Sequence, residues 1–498
     1  MSTISSQSTD GLRRLAGKPM AEKPLEENPW RNRLYNALSG SPSPLYLFEG
    51  RALPAASLWN LSKLYTTWLR ESGITAGDRL VLDLPEGPAL LGAIVAALRE
   101  GCTLALPPMA SIKDPAEKLL ERFDARAVLT NKEGELAANP DPDGLPPKKM
   151  AALREADGPK TPDARLLIGT SGTSGAPKHV AISDRGMLSV LDSHLPLLSM
   201  QGVVAASVLP WRHAFGFVLD LLPQLFTADM VVRSPDSGSD PERLVALCEE
   251  HHVDWLSCVP LTVERLLNAD GLGMLSRLRG GVVGGAPVWD RLIDPLRATR
   301  LRVGYGQTEA SPGISLGEPG QWEEGWLGRP IGCATGADEN GVLWFSGPNA
   351  CLGYWRDGAL WREPTGRWVY TGDIVQKRDE CLMYLGRADD RFKLANGRWV
   401  AAAEVERGIR DRFPELTSAC VTTCDHQRIA MAYASHTGSP STEAVIAALA
   451  QRGFPGASAS ALNETEWPRT PKGATDRIQI TKLLTTEQAN TNQEGAAQ

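Results

Sequence analysis

The 498-residue sequence lacks any apolar run that approaches the ~20 residues a helix needs to span a bilayer. Positive charge is not in excess either: the formal net charge is −7, which argues against a nucleic-acid-binding protein and against a basic membrane-surface protein. The N-terminal stretch MSTISSQSTDGLRR has no apolar core of the signal-peptide kind. We therefore expect residues 1–27 to form a polar tail and the protein to be cytoplasmic, with no nucleic-acid partner and no membrane span.

Cysteine is sparse. The eight cysteines are scattered along the chain, a distribution typical of reduced thiols rather than of a disulfide framework. Cys420, Cys424 and His426 lie close together in the sequence, but two cysteines and one histidine do not complete a tetrahedral zinc site. The sequence therefore predicts neither a disulfide scaffold nor a zinc site.

The residues that are present describe a globular protein, with 42% hydrophobic and 22% charged residues. The stretch DRLVLDLP is typical of a strand, ALLGAIVAALREG of a helix that ends at Gly101, and CTLALPP of a second strand. Strand, helix and strand at this spacing predict βαβ units and a largely parallel sheet. The predicted fold class is α/β.

The character of the sequence changes beyond Gly341, where short predicted strands are rich in glycine and tryptophan. The charged stretch GRADDRFK, residues 386–393, is typical of a junction between domains. We predict a large domain over residues 28–385, a small C-terminal domain over residues 386–484 and a polar tail over residues 485–498.

A loop rich in glycine, serine and threonine lies in LLIGTSGTSGAPKHVAIS, residues 166–183. A Walker loop requires G-x-x-x-x-G-K-[ST] before a helix, whereas Pro177 and His179 here occupy the second glycine and the serine or threonine positions. The following HVAIS alternates like a strand, so the loop joins two strands. Its glycines, hydroxyls and Lys178 still suit phosphate binding, and a solvated hairpin loop is the alternative.

Six stretches occur in the order they have in the adenylate-forming superfamily, namely TSGTSGAPK, LPWRHAFGF, GGAP, GYGQTEA, YTGD and GRADDRFKLANGRWVAAAEVE. The sequence resembles this superfamily, which includes acyl-CoA synthetases, luciferases and nonribosomal-peptide adenylation domains, over roughly residues 30–480. It is most similar to acyl- or aryl-CoA ligases. The resemblance implies a large N-terminal domain of βαβ layers and a small mobile α+β C-terminal domain, with a hinge near Asp389.

The resemblance also implies a reaction in two halves. A carboxylate attacks the α-phosphorus of ATP to give acyl-AMP and pyrophosphate, and a thiol then attacks the acyl-AMP. Catalysis of the first half must consist mainly of positioning and charge neutralisation. The residues implied to hold the β- and γ-phosphates are Thr170, Ser171, Gly172, Thr173, Ser174, Gly175 and Lys178.

Further positions match those that bind the nucleotide and metal in the superfamily. Thr308 and Glu309 match the positions that bind the α-phosphate and Mg²⁺, although Glu309 could also be an ordinary surface glutamate. The residues implied to bind the nucleoside are Gly285, Ala286 and Tyr305 for adenine, and Asp373 and Arg387 for ribose. YTGD could instead be a simple turn.

The acid is implied to bind next to His213, which could alternatively be a packed structural histidine. Amino-acid-activating relatives carry an aspartate where this chain has Ala214, so an α-amino acid is disfavoured. The neighbouring Phe215 and Phe217 favour an apolar aryl or acyl acid.

Two lysines are implied to serve the two half-reactions. Lys393 matches a lysine that faces the active site during thiol transfer. The adenylation lysine near the C-terminus is replaced by Ala474, with Lys472 two residues earlier. Either Lys472 substitutes for it or adenylation is weak.

We therefore predict an AMP-forming acid–thiol ligase that uses ATP and Mg²⁺, and we count Lys178, His213, Thr308, Glu309, Lys393 and Lys472 as its catalytic candidates. The thiol belongs either to coenzyme A or to the phosphopantetheine of an acyl-carrier protein. A degenerate family member that binds nucleotide or acid without catalysis is the alternative, and luciferase chemistry occurs on the same fold.

Overall fold

The computed structural model describes the chain in segments with gaps between them. The described residues are 28–39, 44–107, 114–130, 152–153, 163–170, 178–288, 290–356, 358–361, 368–435, 438–470 and 475–496. Their contacts divide into two compact units. The larger unit lies within Arg13–Gly336 and Trp344–Val369, and the smaller one contains Ala337–Leu343 and Tyr370–Gln498.

The larger unit contains an eight-stranded sheet that includes the predicted strand–helix–strand unit. Strands Arg79–Asp83 and Thr103–Leu106 are parallel, and helix Pro88–Glu100 connects them. This helix ends at Gly101, whose φ of 77° is left-handed. The α/β prediction is confirmed. In spatial order the strands are Ala359–Trp361, Gly353–Arg356, Lys178–Ile182, Leu166–Thr170, Thr103–Leu106, Arg79–Asp83, Ala127–Thr130 and Ala152–Leu153.

A second sheet of the larger unit has five strands. In spatial order these are Trp255–Ser257, Val203–Ser207, Ala228–Arg233, Leu45–Phe48 and Arg51–Pro54. The first four strands are mutually parallel and the last is antiparallel. Parallel strands require crossover connections, which the intervening helices supply. These and the other helices of the unit are Pro29–Ser39, Ala55–Glu71, Ala116–Arg122, Asp184–Leu198, Ala214–Gly216, Leu222–Thr227, Pro241–Glu250, Pro260–Asn268, Leu272–Arg277 and Asp290–Arg297, with a π-helical turn at Phe217–Leu221.

The core of the larger unit is apolar and is built around helix Pro88–Glu100, which is buried from Leu90 to Leu98. Helix Ala55–Glu71 packs against it so closely that a Cβ on Gly92 would lie 2.7 Å from the Leu61 side chain. A helix buried this thoroughly belongs to the interior of a large domain.

A third group of strands directly precedes several of the predicted site residues. Gly281–Gly284 and Leu301–Tyr305 are parallel, and Ser315–Leu316 and Trp326–Pro330 continue the pairing in antiparallel fashion. The next two strands along the chain are Ala334–Ala337 and Val342–Ser346.

The smaller unit is α+β. It contains the antiparallel pair Val369–Arg378 and Cys381–Arg387, of which Val369 itself belongs to the larger unit. Its other elements are the hairpin Arg391–Lys393 with Trp399–Ala401, strands Leu416–Thr422, Ala430–Ser435 and Ser458–Ala461, and helices Ala402–Arg412, Thr442–Gln451 and Arg477–Ala496. The last helix runs through residues that the sequence predicts as a polar tail. The domain boundary predicted after residue 385 stays a prediction.

All eight cysteines lie in the described segments and are free thiols. Within those segments no group of three or more histidine, cysteine, aspartate or glutamate side chains is arranged to hold a metal ion. A search of the same segments finds no helix with both the length and the apolar character needed to cross a membrane.

Arg477, in the last helix, is the centre of an ionic cluster in the smaller unit. Its guanidinium donates to both carboxylate oxygens of Glu406, at 2.7 and 2.9 Å, and its Nε lies 3.1 Å from Asp390 Oδ1. Glu406 is 5% exposed and also accepts from the Val421 amide at 2.7 Å. Burial raises the pKa of Asp390, and the positive charge of Arg477 opposes that rise.

Replacing Arg477 by leucine leaves the Glu406 carboxylate buried without its counter-charge. We expect the free energy of unfolding of the smaller unit to fall by about 3 kcal/mol, the lower end for a broken buried ion pair. Urea denaturation of the full chain, followed by hydrogen exchange in the smaller unit, measures this. Lys482→Leu, an exposed change on the same helix, is the control and should shift stability by less than ~0.5 kcal/mol. Equal effects of the two changes would contradict the role of Arg477 as the counter-charge of Glu406.

Candidate active site

Two loops meet at one sheet edge of the larger unit because the strands before them are parallel. Gly284 is paired with Gly304 in the register of Gly281–Gly284 with Leu301–Tyr305. The residues that follow each strand therefore emerge side by side. Gly285 and Ala286 begin the loop after the first strand, and Tyr305 is the last residue of the second; these are the three residues predicted to surround adenine.

Glycine is required at two positions of this edge. Gly285 has a φ of 83°, a left-handed conformation that L side chains rarely adopt. A Cβ on Gly306 would lie 1.5 Å from the carbonyl oxygen of Pro312, which is far inside contact distance. The chain turns back on itself after Tyr305, and Ile314 N donates to Tyr305 O at 3.0 Å.

A cavity opens at the same edge. Gly285 and Tyr305 belong to its wall. The lining residues are His194, Leu198, Phe215, Leu219, Val282, Gly285, Gly304, Tyr305, Gly306, Pro312, Ser315 and Leu316. Apolar side chains and glycine backbone therefore make up most of the wall.

Glu309 lies just beyond this turn, in the 3₁₀ helix Thr308–Ala310. Its carboxylate is half-buried, and Oε1 accepts a hydrogen bond of 3.1 Å from the Tyr354 hydroxyl. The backbone is held as well, because Cys351 N donates to Glu309 O at 2.8 Å. Thr308, which directly precedes Glu309 in the chain, is also half-buried.

Tyr354 also lies next to Lys178. Strand Gly353–Arg356 pairs with Lys178–Ile182, with Tyr354 opposite Val180. The Lys178 ammonium lies 5.8 Å from the centroid of the Tyr354 ring, within cation–π range. One tyrosine side chain therefore contacts both the predicted phosphate lysine and the predicted metal ligand.

The loop that Lys178 follows joins two strands, as predicted, since Thr170 is paired with Lys178 across Leu166–Thr170 and Lys178–Ile182. Thr170 ends its strand. The predicted phosphate ligands Ser171, Gly172, Thr173, Ser174 and Gly175 lie outside the described residues, as does Lys472.

His213 precedes the short helix Ala214–Gly216 and is half-buried. Phe215, two residues later, contributes to the cavity wall. Arg212 anchors this segment: it is 1% exposed and donates to the backbone carbonyls of Leu84, of Leu82 at 3.2 Å and of Pro107 at 2.9 Å. Burial lowers the pKa of its guanidinium.

In the smaller unit, the two residues predicted to hold ribose are bound to each other. Asp373 and Arg387 face one another across antiparallel strands, and Arg387 Nη1 donates to Asp373 Oδ1 at 2.9 Å. Arg387 also donates to Thr371 O at 3.1 Å and to Asp389 Oδ2 at 3.2 Å. Burial works against the guanidinium charge, but the two carboxylates outweigh it and raise the pKa of Arg387.

Lys393 is exposed at the end of strand Arg391–Lys393. It is opposite Trp399, and its ammonium lies 5.9 Å from the centroid of that ring. Trp399 itself is 65% exposed.

Comparison with known proteins identifies the family. A family model described as "AMP-binding enzyme" matches residues 37–355, well over half of the chain. The chain belongs to the AMP-binding enzyme family.

Two curated relatives from Pseudomonas aeruginosa are 28% identical to this AMP-binding enzyme. The match to the pyochelin synthetase PchE covers 68% of this chain and 26% of that protein, so the chain spans about a quarter of its length. The match to an anthranilate–CoA ligase covers 70% of this chain and 74% of that protein.

Solved structures of adenylate-forming enzymes share the fold. The anthranilate CoA ligase AuaEII, crystallised with anthranoyl-AMP, aligns with a TM-score of 0.74 at 18% identity. The alignment covers 94% of this chain and 99% of that one. The likeness confirms the predicted architecture of a large domain followed by a small C-terminal one.

Sequence reasoning missed two residues of this AMP-binding enzyme that lie among the candidates. Tyr354 contacts Glu309 only because a distant strand pairs with Lys178–Ile182. His194 belongs to helix Asp184–Leu198 and reaches the cavity wall through helix packing. No spacing motif announces either contact, although GYW in residues 353–355 is typical of a strand.

The close approach at Gly306 can be tested directly. Gly306→Ala places a methyl group on the Pro312 carbonyl, so residues 306–312 must shift, and we expect a loss of roughly 1–3 kcal/mol of stability. Urea denaturation measures the change. Gly273→Ala is the matched control: Gly273 is exposed within helix Leu272–Arg277, the nearest atom to its Cβ position is the end of the Arg277 side chain at 3.7 Å, and the change should not lower stability. If both variants were as stable as the parent protein, the tight turn would be disproved.

Proposed function

We propose that this AMP-binding enzyme activates a non-amino aryl or acyl carboxylic acid with ATP and transfers the acyl group to a thiol. The observation that carries the proposal is the largely apolar cavity, because its wall includes Gly285 and Tyr305, two of the residues assigned to adenine. An acid in this cavity has its carboxylate next to the nucleotide. That is the arrangement that attack on the α-phosphorus needs.

The cavity lining supports an acid without an α-ammonium group. None of its twelve lining residues, all in described segments, carries a carboxylate that could pair with such a group. Ala214 is 3% exposed and occupies the position at which amino-acid-activating relatives carry aspartate. The anthranilate–CoA ligase among the relatives acts on an aryl acid, which supports the same substrate class.

The residues around Glu309 fit a magnesium ion held between protein and phosphates. Glu309 supplies a hard carboxylate oxygen, and the Thr308 hydroxyl lies next to it in the chain. Mg²⁺, when bound with ATP, neutralises phosphate charge. The protein must hold the Glu309 carboxylate in place, and the hydrogen bond from the Tyr354 hydroxyl to Oε1 does so.

The charged side chains are proposed to act by positioning. Lys178 supplies a positive charge at the end of the phosphate loop, and Arg387 holds the Asp373 carboxylate, the proposed acceptor for ribose hydroxyls, by a hydrogen bond. His213 stays the candidate next to the acid carboxylate. The acceptor is the thiol of coenzyme A or of a carrier-protein phosphopantetheine, which present the same arm. We place the reaction in the cytoplasm, where ATP is available and free thiols such as its eight cysteines persist.

The proposal is tested by acid-dependent release of pyrophosphate from ATP and Mg²⁺ over a panel of aryl and fatty acids, with and without coenzyme A. Release that depends on a non-amino acid supports it. A protein that binds ATP but releases no pyrophosphate with any acid would instead be the degenerate binding protein.

Glu309→Gln removes the anionic metal ligand while keeping the shape of the side chain. We expect acid-dependent ATP–pyrophosphate exchange to fall by about 10²–10³, the usual cost of one positioned electrostatic group. Tyr354→Phe keeps the ring next to Lys178 and removes only the hydroxyl, so it should raise the Mg²⁺ concentration needed for half-maximal exchange with a smaller loss of rate.

Glu318→Gln, an exposed glutamate in the same unit, is the control and should leave exchange unchanged. Full exchange in Glu309→Gln would remove Glu309 from the site. An unaltered Mg²⁺ requirement in Tyr354→Phe would show that the hydroxyl does not position the carboxylate.

The two C-terminal lysines should separate the half-reactions. Lys472→Ala should lower ATP–pyrophosphate exchange by about 10²–10³ and spare thioester formation from supplied acyl-adenylate, because a cation between the carboxylate and the α-phosphate serves only the first half. Lys393→Ala should spare exchange and slow thiol transfer. Quenched-flow assays of each half-reaction measure both. Parental exchange in Lys472→Ala would show that Lys472 does not replace the lysine missing at Ala474.

A further inference from the structure

One polar side chain in the cavity wall has no role in the proposed chemistry. His194 lies in helix Asp184–Leu198, is 2% exposed and lines the cavity. The other two polar side chains of the wall belong to Tyr305 and Ser315. The Ser315 hydroxyl donates to Leu327 O at 2.6 Å. His194 is thus the lining residue that brings an imidazole to an otherwise largely apolar surface.

The hydrogen bonds of the ring determine its tautomer. His194 Nδ1 lies 3.0 Å from the carbonyl oxygen of Val190, one helical turn earlier. Because a carbonyl can only accept, Nδ1 must carry the proton. The Ser193 hydroxyl, 2.9 Å from Nδ1, donates to Ser189 O at 2.7 Å, so its oxygen can accept from the same N–H. The second nitrogen, Nε2, therefore carries a lone pair and no proton.

Burial keeps the ring in this neutral form. It lowers the pKa of His194 to about 4, against the smaller opposing effect of the bond to Val190 O. At pH 7 the imidazole is uncharged and Nε2 is an acceptor. Nε2 has no hydrogen-bond partner among the described residues.

A buried hydrogen-bond acceptor without a partner lowers the stability of a protein, yet the residues around His194 accommodate one. Buried unsatisfied polar atoms cost about 1–3 kcal/mol each, so their presence in a cavity wall points to a ligand that satisfies them. Position 313 is glycine, and a Cβ there would lie 2.7 Å from Nε2. Glycine at this position leaves the space that the His194 ring occupies.

We propose that His194 Nε2 accepts a hydrogen bond from an O–H or N–H substituent on the ring of the bound acid, so that the enzyme selects hydroxy- or amino-substituted aryl acids. This inference depends on the proposed function for the placement of the acid in the cavity. On this proposal, His194 discriminates between acids that the apolar wall alone would bind almost equally.

The selectivity arises because an unsubstituted acid leaves the His194 acceptor without a hydrogen bond. With a donor on the ring, Nε2 is satisfied in a site from which apolar walls exclude water. Without one, the acceptor stays unpaired, and sites built to bind a hydroxyl or amine reject analogues that lack it. Leaving one buried acceptor unpaired corresponds to roughly a ten- to hundred-fold loss of affinity.

The test measures binding directly and exchange separately. Calorimetry with ATP and Mg²⁺ present compares benzoate, the three hydroxybenzoates, the three aminobenzoates and the three methoxybenzoates, which match the hydroxybenzoates in position but lack the donor. We expect at least one hydroxy or amino isomer to bind ten- to hundred-fold more tightly than benzoate and its methoxy counterpart. Its KM in ATP–pyrophosphate exchange should follow the same order.

Three variants identify the acceptor. His194→Leu should remove the preference and bring the donor-bearing acid to the affinity of its methoxy counterpart. His194→Gln, whose carboxamide oxygen can accept, should retain part of it. His179→Leu is the matched control: His179 is also buried and also has an Nε2 without a partner among the described residues, but it is not part of the cavity wall. It should leave the preference unchanged.

A spectroscopic measurement separates recognition from packing. In ¹⁵N-histidine-labelled protein, the Nε2 resonance of His194 should shift when the preferred acid binds and should stay in place with the methoxy acid. The preference should also be constant between pH 6 and 8.5, because the ring is neutral throughout that range.

The outcomes separate this inference from the proposed function. Selective binding that depends on His194 without any pyrophosphate exchange would support the acceptor and overturn the proposed ligase. Exchange with equal affinities for donor-bearing and methoxy acids, or a preference that survives His194→Leu, would overturn the acceptor. Failure of all of these acids to bind would overturn it as well.

Discussion

The register between two parallel strands sets the positions of the residues assigned to adenine and to the metal ion in the larger unit. Gly284 and Gly304 are paired so closely that a Cβ on Gly284 would lie 2.5 Å from the Gly304 carbonyl oxygen. Because both strands end at this level, the loops that follow them diverge from one edge. Gly285 and Tyr305 line a shared cavity as a result, and Glu309 follows four residues later along the second loop. A shift of one residue in this register would displace all of them together.

A second constraint comes from buried charge next to Trp211 and on Arg212, which precede Phe215 in the chain. Glu86 accepts from the Trp211 amide at 2.8 Å and forms an ion pair with Arg233, which is 5% exposed. Arg212 adds its bonds to three backbone carbonyls. Such charges are costly to bury and are retained where they are paired, as Glu86 and Arg233 are. Together with the bonds of Arg212 they fix the residues shortly before Phe215, so this part of the apolar wall depends on buried polar contacts.

The sequence predicted the elements whose signals are local, and it could not predict contacts between distant elements. Strand Arg79–Asp83, helix Pro88–Glu100 and strand Thr103–Leu106 follow from periodicity and from Gly101, and the two strands around the phosphate loop follow from alternation. Motif order was sufficient for the family and for Glu309 as a candidate.

The contacts that the sequence did not predict arise from tertiary pairing. Tyr354 meets Glu309 and Lys178 across strands far apart in the chain, and His194 reaches the cavity through the packing of its helix. The mutual pairing of Asp373 and Arg387 depends on the register of two antiparallel strands. Helix Arg477–Ala496 extends through residues 485–496, whose polar composition alone predicts a tail.

Within the proposed site, the groups that provide binding affinity differ from the group that selects between acids. Charged groups, namely Lys178 and Glu309 joined through Tyr354, lie where a polyanion and its metal ion are proposed to bind, and there the strength of the interaction comes from charge. The cavity wall is uncharged, and apolar area contributes affinity to any acid of suitable size without distinguishing one ring substituent from another. A neutral acceptor in that wall adds little affinity for an acid that lacks a donor, yet it changes which acid binds best. A charged residue at position 194 could not do this, because burying its charge would cost more than one hydrogen bond returns. Selectivity in such a wall therefore requires a side chain that burial keeps neutral, and His194 has that property.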